Sequence, residues 1–149
     1  MELQIPTPLK VEHEELHAEL AKATMVPGKL GEAARTVAAL LHPHFVKEEA
    51  YALPPLGLLP LLAAGHVRPE MREGLSMTDR LKAELPQLLG EHQAIVAARQ
   101  TLVEAAKHEN QIAYAHCAET LMLHAQTEEE VLYPTAILSG AYLPLTLDR

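Results

Sequence analysis

The sequence predicts an all-α fold, an antiparallel up-down four-helix bundle with a long Leu/Pro-rich connection between its second and third helices. Two observations carry this expectation. Apolar residues recur at helical spacing through four long stretches, and no segment combines strict apolar-polar alternation with β-branched enrichment, the mark of strands. At 149 residues the chain has the length of one ordinary domain, enough to bury a core without disulfides, so residues 1–149 are read as a single domain.

Taken in order, the first helix starts at Thr7 as N-cap, with Pro8 at the first helical position, and stops near Met25, where Val26, Pro27 and Gly28 break it. The second runs from about Lys29 to Leu53. Pro54 and Pro55 stop it, because proline lacks the amide that a helix interior uses and collides with the preceding turn. Between Pro54 and Ser76 the chain is punctuated by Gly57, Pro60, Gly65, Pro69 and Gly74, which suits a connection made of short helical pieces. The Leu-rich run from Leu53 to Ala64 is expected to pack on the bundle or on a second subunit of a homo-oligomer. Ser76 with Asp79 reads as a capping box opening a third helix to about Lys107, bent where Pro86 and Gly90 fall. Asn110 then caps a fourth helix that ends between Tyr133 and Gly140. Short turns within each helix pair make neighbours antiparallel.

Composition narrows the function classes. A lone cysteine, Cys117, cannot assemble the thiolate set of a structural zinc or iron-sulfur site, and it suits a reducing cytoplasm. The start of the chain has no basic stretch followed by an apolar run, and the longest apolar stretch holds three prolines, so neither export nor membrane spanning is expected. A net charge of -8 with no Lys/Arg cluster repels phosphate backbones and argues against nucleic acid as a partner. What stands out is nine histidines beside eighteen glutamates and two aspartates in a Leu- and Ala-rich chain. Ligands for a metal held between helices are abundant.

Those residues repeat. VEHEELHAEL in the first helix matches GEHQAIVAAR in the third, with His13 aligned on His92. HPHFVKEEAYALP in the second matches HAQTEEEVLYP in the fourth, where His44 and His124 each precede a glutamate by four positions, Glu48 and Glu128. The offset from His44 to His124 exceeds that from His13 to His92 by a single position, so both matches belong to one repeat. About one His-x-x-x-Glu is expected by chance at this composition, and three occur. The third, His66 to Glu70, contains Pro69 and has no counterpart in the other half. The chain reads as a duplicated helical hairpin.

Advancing roughly 100° per residue places all six side chains on the inward stripes. His13 shares its stripe with Leu9, Leu16 and Leu20, His44 and Glu48 with Val37, Leu41 and Tyr51, and His92 with Leu81, Leu85, Leu88 and Val96. His124 and Glu128 share theirs with Ala113, Cys117, Leu121 and Val131, while His42, Glu49, Glu91, Glu129 and Glu130 fall outside the stripes. Each half is expected to place its one-ligand helix next to its two-ligand helix, at similar depth. Buried carboxylates need compensation, and four imidazoles with two carboxylates suit two cations bridged by the acids. A thiolate-free donor set of this kind fits iron, with manganese or zinc also able to occupy it.

The order His13, His44 with Glu48, His92, His124 with Glu128, together with the pair His44-Phe45, resembles the hemerythrin-like (HHE cation-binding) family from Val11 to Pro134. The resemblance implies two iron ions and a chain that binds, senses or reacts with dioxygen, peroxide or nitric oxide. Oxygen-carrying members of the family have two histidines four residues apart on the third helix, whereas Leu88 and Val96 flank His92 at that spacing. One ligand fewer leaves the metals more open, which shifts weight from reversible oxygen carriage to peroxide or nitric oxide chemistry, with a diiron, catalase-like decomposition of peroxide as the enzyme alternative.

Rival readings remain open in the residues. The six could pair with one another as buried ion pairs without metal. His13 to His17 spells the HExxH signature of zinc proteases, with Glu14 as base, but at a position where no substrate-binding domain precedes it. A ferritin-like site needs Glu-x-x-His on two helices, and only Glu14 to His17 fits. Tyr51 and Tyr133 follow the ligand pairs and either donate hydrogen bonds to bound oxygen species or edge the core. Cys117 fills core space, His42, His66, His108 and His116 are surface or cap residues, and Arg99, on an inward stripe, is expected to form an ion pair near the bundle end.

Overall fold

The computed structural model describes residues 3–147, and every regular element among them is helical. Helix α1, Thr7–Thr24, is preceded by Pro6 as N-cap, so Thr7 is the first helical residue rather than the cap, and Met25 closes it. Gly28, with φ of 86°, turns the chain into α2, Lys29–Lys47. The helix then loosens into a π turn, Glu48–Ala52, in which the Leu53 amide donates to the Glu48 carbonyl at 2.9 Å. Pro54 and Pro55 end it there, as the sequence predicts.

The connection is short helical pieces throughout, a 3₁₀ turn at Pro54–Leu58, α3 at Leu59–Ala63 and a 3₁₀ turn at Pro69–Arg72. Helix α4 spans Glu73–His108. It starts three residues before Ser76, whose hydroxyl donates back to the Glu73 carbonyl inside the helix, so Ser76 and Asp79 form no capping box. Asn110 also plays a different part from the one predicted. With φ of 57° it ends α4, its own amide donating to Lys107 and that of Gln111 to Ala106, the paired closing bonds of a left-handed helix stop. Helix α5, Ile112–Thr127, begins next, with Gln111 as N-cap.

A second π turn, Glu128–Leu132, mirrors the first, again with the carbonyl of the His-x-x-x-Glu glutamate accepting from the amide five residues on. Here a single proline comes after it, and the chain continues as α6, Tyr133–Leu147, beyond the predicted end. Proline is tolerated near the start of a new helical segment, where its missing amide is not required. The extra residue of the π turn also rotates the side chains beyond it. Val131, on the inward stripe of an uninterrupted helix, is 53% exposed, and Tyr133 is buried instead. Ala113, predicted inward, is exposed at the first turn of α5.

In cyclic order α1, α2, α4 and α5 each pack on the next, and α6 lies on α4. Gly140 permits that last approach, since a Cβ there would stand 2.0 Å from Thr78 Oγ1. Apolar burial is split into layers. One cluster joins Leu16, Leu20, Val37, Leu41, Phe45, Ile95 and Leu121, and a second joins Tyr51, Leu53, Leu56, Leu81, Leu88, Tyr133 and Ala136. A third holds Leu58, Leu62, Met71 and Leu143, so the Leu-rich connection packs on α6 of its own chain. Each large apolar side chain taken from water stabilises the fold by roughly 1.5–3 kcal/mol, which fixes the helices that carry the polar residues between the first two layers. No helix among the described residues is long and apolar enough to cross a membrane.

Candidate metal centre

All six side chains singled out by spacing lie between those two layers, none more than 4% exposed. They form two groups of four that share both glutamates. His13 and His124 stand on one side of Glu48 and Glu128, and His44 and His92 on the other. Each group thus draws one histidine from each half of the chain, while each half sets its one-histidine helix beside its own His-x-x-x-Glu helix as predicted, α1 on α2 and α4 on α5. The reason for the crossed groups is the order of packing, because α1 contacts α5 as well as α2 and the duplicated hairpins interlock.

The ring nitrogens on the inner side crowd the acids. His44 Nε2 is 3.2 Å from Glu48 Oε1, His92 Nε2 is 3.2 Å from Glu128 Oε1, and His124 Nε2 is 3.3 Å from the same Glu128 oxygen. His13 Nε2 lies 3.2 Å from His124 Nε2. On the outer side every Nδ1 meets a second carboxylate. His13 donates to Glu49 at 3.3 Å, His44 to Glu91 at 2.9 Å, His92 to Glu129 at 2.9 Å, and His124 to Glu12. A carboxylate accepts only, so each Nδ1 carries the proton and each Nε2 turns a bare lone pair inward. Two such lone pairs 3.2 Å apart repel unless a cation or a proton lies between them.

These outer glutamates are the members of the cluster that helical phase missed. Glu49, Glu91 and Glu129 fall outside the inward stripes as predicted, yet each reaches a histidine on a neighbouring helix. Their signal was the duplication itself, since Glu12 and Glu91 precede the single histidines and Glu49 and Glu129 come directly after the inner glutamates. Carboxylates of this kind set the tautomer and orientation of metal-binding histidines.

Charge balance tests whether cations fit. Glu48 Oε1 and both oxygens of Glu128 are buried without a hydrogen-bond partner. Burial, then the charge of Glu128, pushes the Glu48 carboxyl well above the usual range. Burial also opposes ionisation of Glu128, but the adjoining Glu48 carboxyl and the ring of histidines outweigh it and hold that carboxyl well below. Two carboxylates buried side by side disfavour full ionisation of both unless positive charge lies between them. Burial lowers His44, whereas His92 and His124, though burial opposes it, are raised by Glu128 and their outer glutamates. Four lone pairs and three unpartnered carboxylate oxygens in a dry interior are the donor set that metal ions satisfy, so these groups could hold metal.

Tyr133 joins the cluster and Tyr51 does not. The Tyr133 hydroxyl donates to Glu48 Oε2 at 2.7 Å and stands 3.4 Å from both His44 Nε2 and His92 Nε2. Tyr51 donates to Glu84 on α4, with the Arg80 guanidinium 4.3 Å over its ring. Phe45 stacks on His13 with ring centres 3.9 Å apart and planes 8° from parallel, and holds it in place. Cys117 is buried in the core as a free thiol, while His42, His66, His108 and His116 are exposed. Arg99 reaches the Ala118 carbonyl at 3.5 Å in place of the predicted ion pair.

No family model matches the chain, and neither does any curated protein or solved structure.

Proposed function

We propose that the chain is a hemerythrin-like antiparallel four-helix bundle that holds two iron ions and uses them to bind, sense or react with dioxygen, peroxide or nitric oxide. The observation that carries this reading is the set of buried, unpartnered carboxylate oxygens of Glu48 and Glu128 facing four imidazole lone pairs, each fixed by an outer glutamate. In it, His13 and His124 would hold one metal and His44 and His92 the other, with the carboxylates of Glu48 and Glu128 available to both. Manganese or zinc would suit the same donors. Two adjacent irons supply redox chemistry toward small oxygen and nitrogen species. The protein contributes the dry shell of Leu16, Leu41, Leu88 and Ile95, which excludes bulk water, and the Tyr133 hydroxyl, which keeps a proton beside Glu48.

A second reading, peroxide decomposition, is favoured by one feature. Where oxygen carriers of the resembled family place an extra histidine, this chain has Leu88, fully buried, and Val96, so both groups keep only two nitrogens. The HExxH protease reading loses support, since His13 turns toward the buried cluster while His17 is exposed. The site chemistry needs no nucleic acid and no membrane, and a single buried thiol suits a reducing cytoplasm. Absorbance of the iron-loaded protein under dioxygen, then oxygen evolution on adding peroxide, separates the two. A stable, reversible adduct without turnover supports binding or sensing, and sustained oxygen evolution supports the enzyme. Failure of both to appear in iron-loaded protein contradicts the function.

A further inference from the structure

A buried metal pair has to be filled through the protein. Two grooves reach the cluster, and the duplication relates them. One, of about 560 Å³ between α1 and α2, leads past Glu14, His17 and His42 to His13 and Glu49. Its counterpart between α4 and α5, about 200 Å³, leads past Gln93, Val96 and Met122 to His92 and Glu129. The offset that carries His13 onto His92 carries Glu14 onto Gln93 and His17 onto Val96, and the offset from His44 to His124 carries His42 onto Met122. At these corresponding positions the inner ligands and the outer glutamates match in both halves, while the groove mouth carries metal-binding side chains in the first half alone.

The two mouth histidines face one another from different helices. Their ring centres are 6.1 Å apart with planes at 48°. Two imidazoles sharing one cation, with nitrogen-metal bonds of about 2.1 Å, hold their ring centres roughly 5–6.5 Å apart. Both side chains are exposed, and neither ring forms a hydrogen bond or ion pair among the described residues. Glu14 stands one turn before His17 and Lys10 one turn before Glu14 on the same wall, so the pull on a cation comes from the chain's net charge of -8.

Resting on the reading of the buried cluster as a metal centre, we propose that His17 and His42 form a capture site at the groove mouth for a divalent transition-metal cation bound for that cluster. Water completes the coordination there, so the ion is held loosely enough to move on. His13, whose outer nitrogen is tied to Glu49, is the first buried ligand the groove meets.

The test tracks iron uptake by the metal-free, full-length chain. Iron(II) is added without oxygen, and protein-bound iron is read after rapid desalting into chelator. The double variant His17→Ala with His42→Ala should fill about tenfold more slowly than the native chain and reach the same final content, in the range by which charged clefts raise on-rates. Gln93→Ala with Met122→Ala, at the mirror groove, should fill at the native rate. Equal rates for native and double variant would overturn the proposal. In a second arm nickel(II) is titrated, and the double variant should bind one equivalent fewer than the native chain, an unchanged stoichiometry again overturning it. A native chain that takes up no iron sinks the reading of the cluster and the delivery role with it, and the nickel arm still decides whether His17 and His42 hold metal.

Discussion

The two halves of this chain, Thr7 to Leu53 and Glu73 to Leu147, are alike where charge is buried and unlike where it is not. Every inner histidine and glutamate and every outer glutamate of the first half has its match at the repeat offset in the second, as do the π turns that begin at Glu48 and Glu128. Around that shared frame the halves part. Tyr133 stands where the first half has Leu53, and Ala125 where it has Phe45. The paired His13 and His92 rings are accordingly supported by different neighbours, His13 by Phe45 and His92 by Tyr133, with centres 5.7 Å apart in the second case. Interior electrostatics tolerates little change, because an unpaired buried carboxylate or lone pair costs several kcal/mol. Apolar support can be supplied from more than one direction.

Removing equivalent ligands from both halves should have the largest effect. His44→Ala and His124→Ala each take one nitrogen from a different group of four, and together they should remove most of the bound iron, measured by elemental analysis. Next in size are the outer glutamates. Glu12→Gln, Glu49→Gln, Glu91→Gln and Glu129→Gln should each weaken metal binding about 10–100-fold in a chelator competition, since each fixes one imidazole. The matched pair Glu12 and Glu91 sharpens the comparison. Glu91 is also held by Lys47, for which the second half has Thr127, so the two effects measure what that lysine adds.

Tyr133→Phe tests the asymmetry. It leaves Glu48 Oε2 without its donor and should cost the metal-free protein about 1–3 kcal/mol in chemical denaturation, while Tyr51→Phe, whose partner Glu84 can turn to water, should cost less. A smaller effect for Tyr133 than for Tyr51 would contradict its place in the cluster. Least disturbing is Cys117→Val, which installs the residue that the first half has at Val37, and should change stability by no more than about 1.5 kcal/mol. Burial and the neighbouring Glu19 push the Cys117 thiol up to about 12. At pH 8 it is therefore protonated, and it should react far more slowly with thiol reagents than in the unfolded chain, gaining reactivity only as pH approaches that value.

Much of this was legible in the sequence for a physical reason. A polar residue on an apolar stripe is conspicuous, and helical phase is accurate over one or two turns, so His13, His44, Glu48, His92, His124 and Glu128 declare themselves. What phase cannot report is the neighbour across a helix boundary. Glu49 and Glu129 point off their own stripes and still meet His13 and His92, because those histidines belong to other helices. The crossed grouping of histidines was hidden in the same way. Phase also fails after an inserted residue, and nothing in the sequence marks the π turns except the prolines just beyond them. For that reason phase places Val131 inside, and a single proline after Tyr133 reads as a stop although α6 continues past it. Ser76 and Asn110 carry the residue types of helix starts, but backbone geometry uses one inside α4 and the other to end it.

Whether these six side chains hold two cations is measured most directly by elemental analysis of the full chain, produced in iron-supplemented medium and purified without chelator. Two metal ions per chain, lost together on substituting His44 and His124 by alanine, is the predicted result. A metal-free protein, or a metal content unmoved by those substitutions, would contradict it.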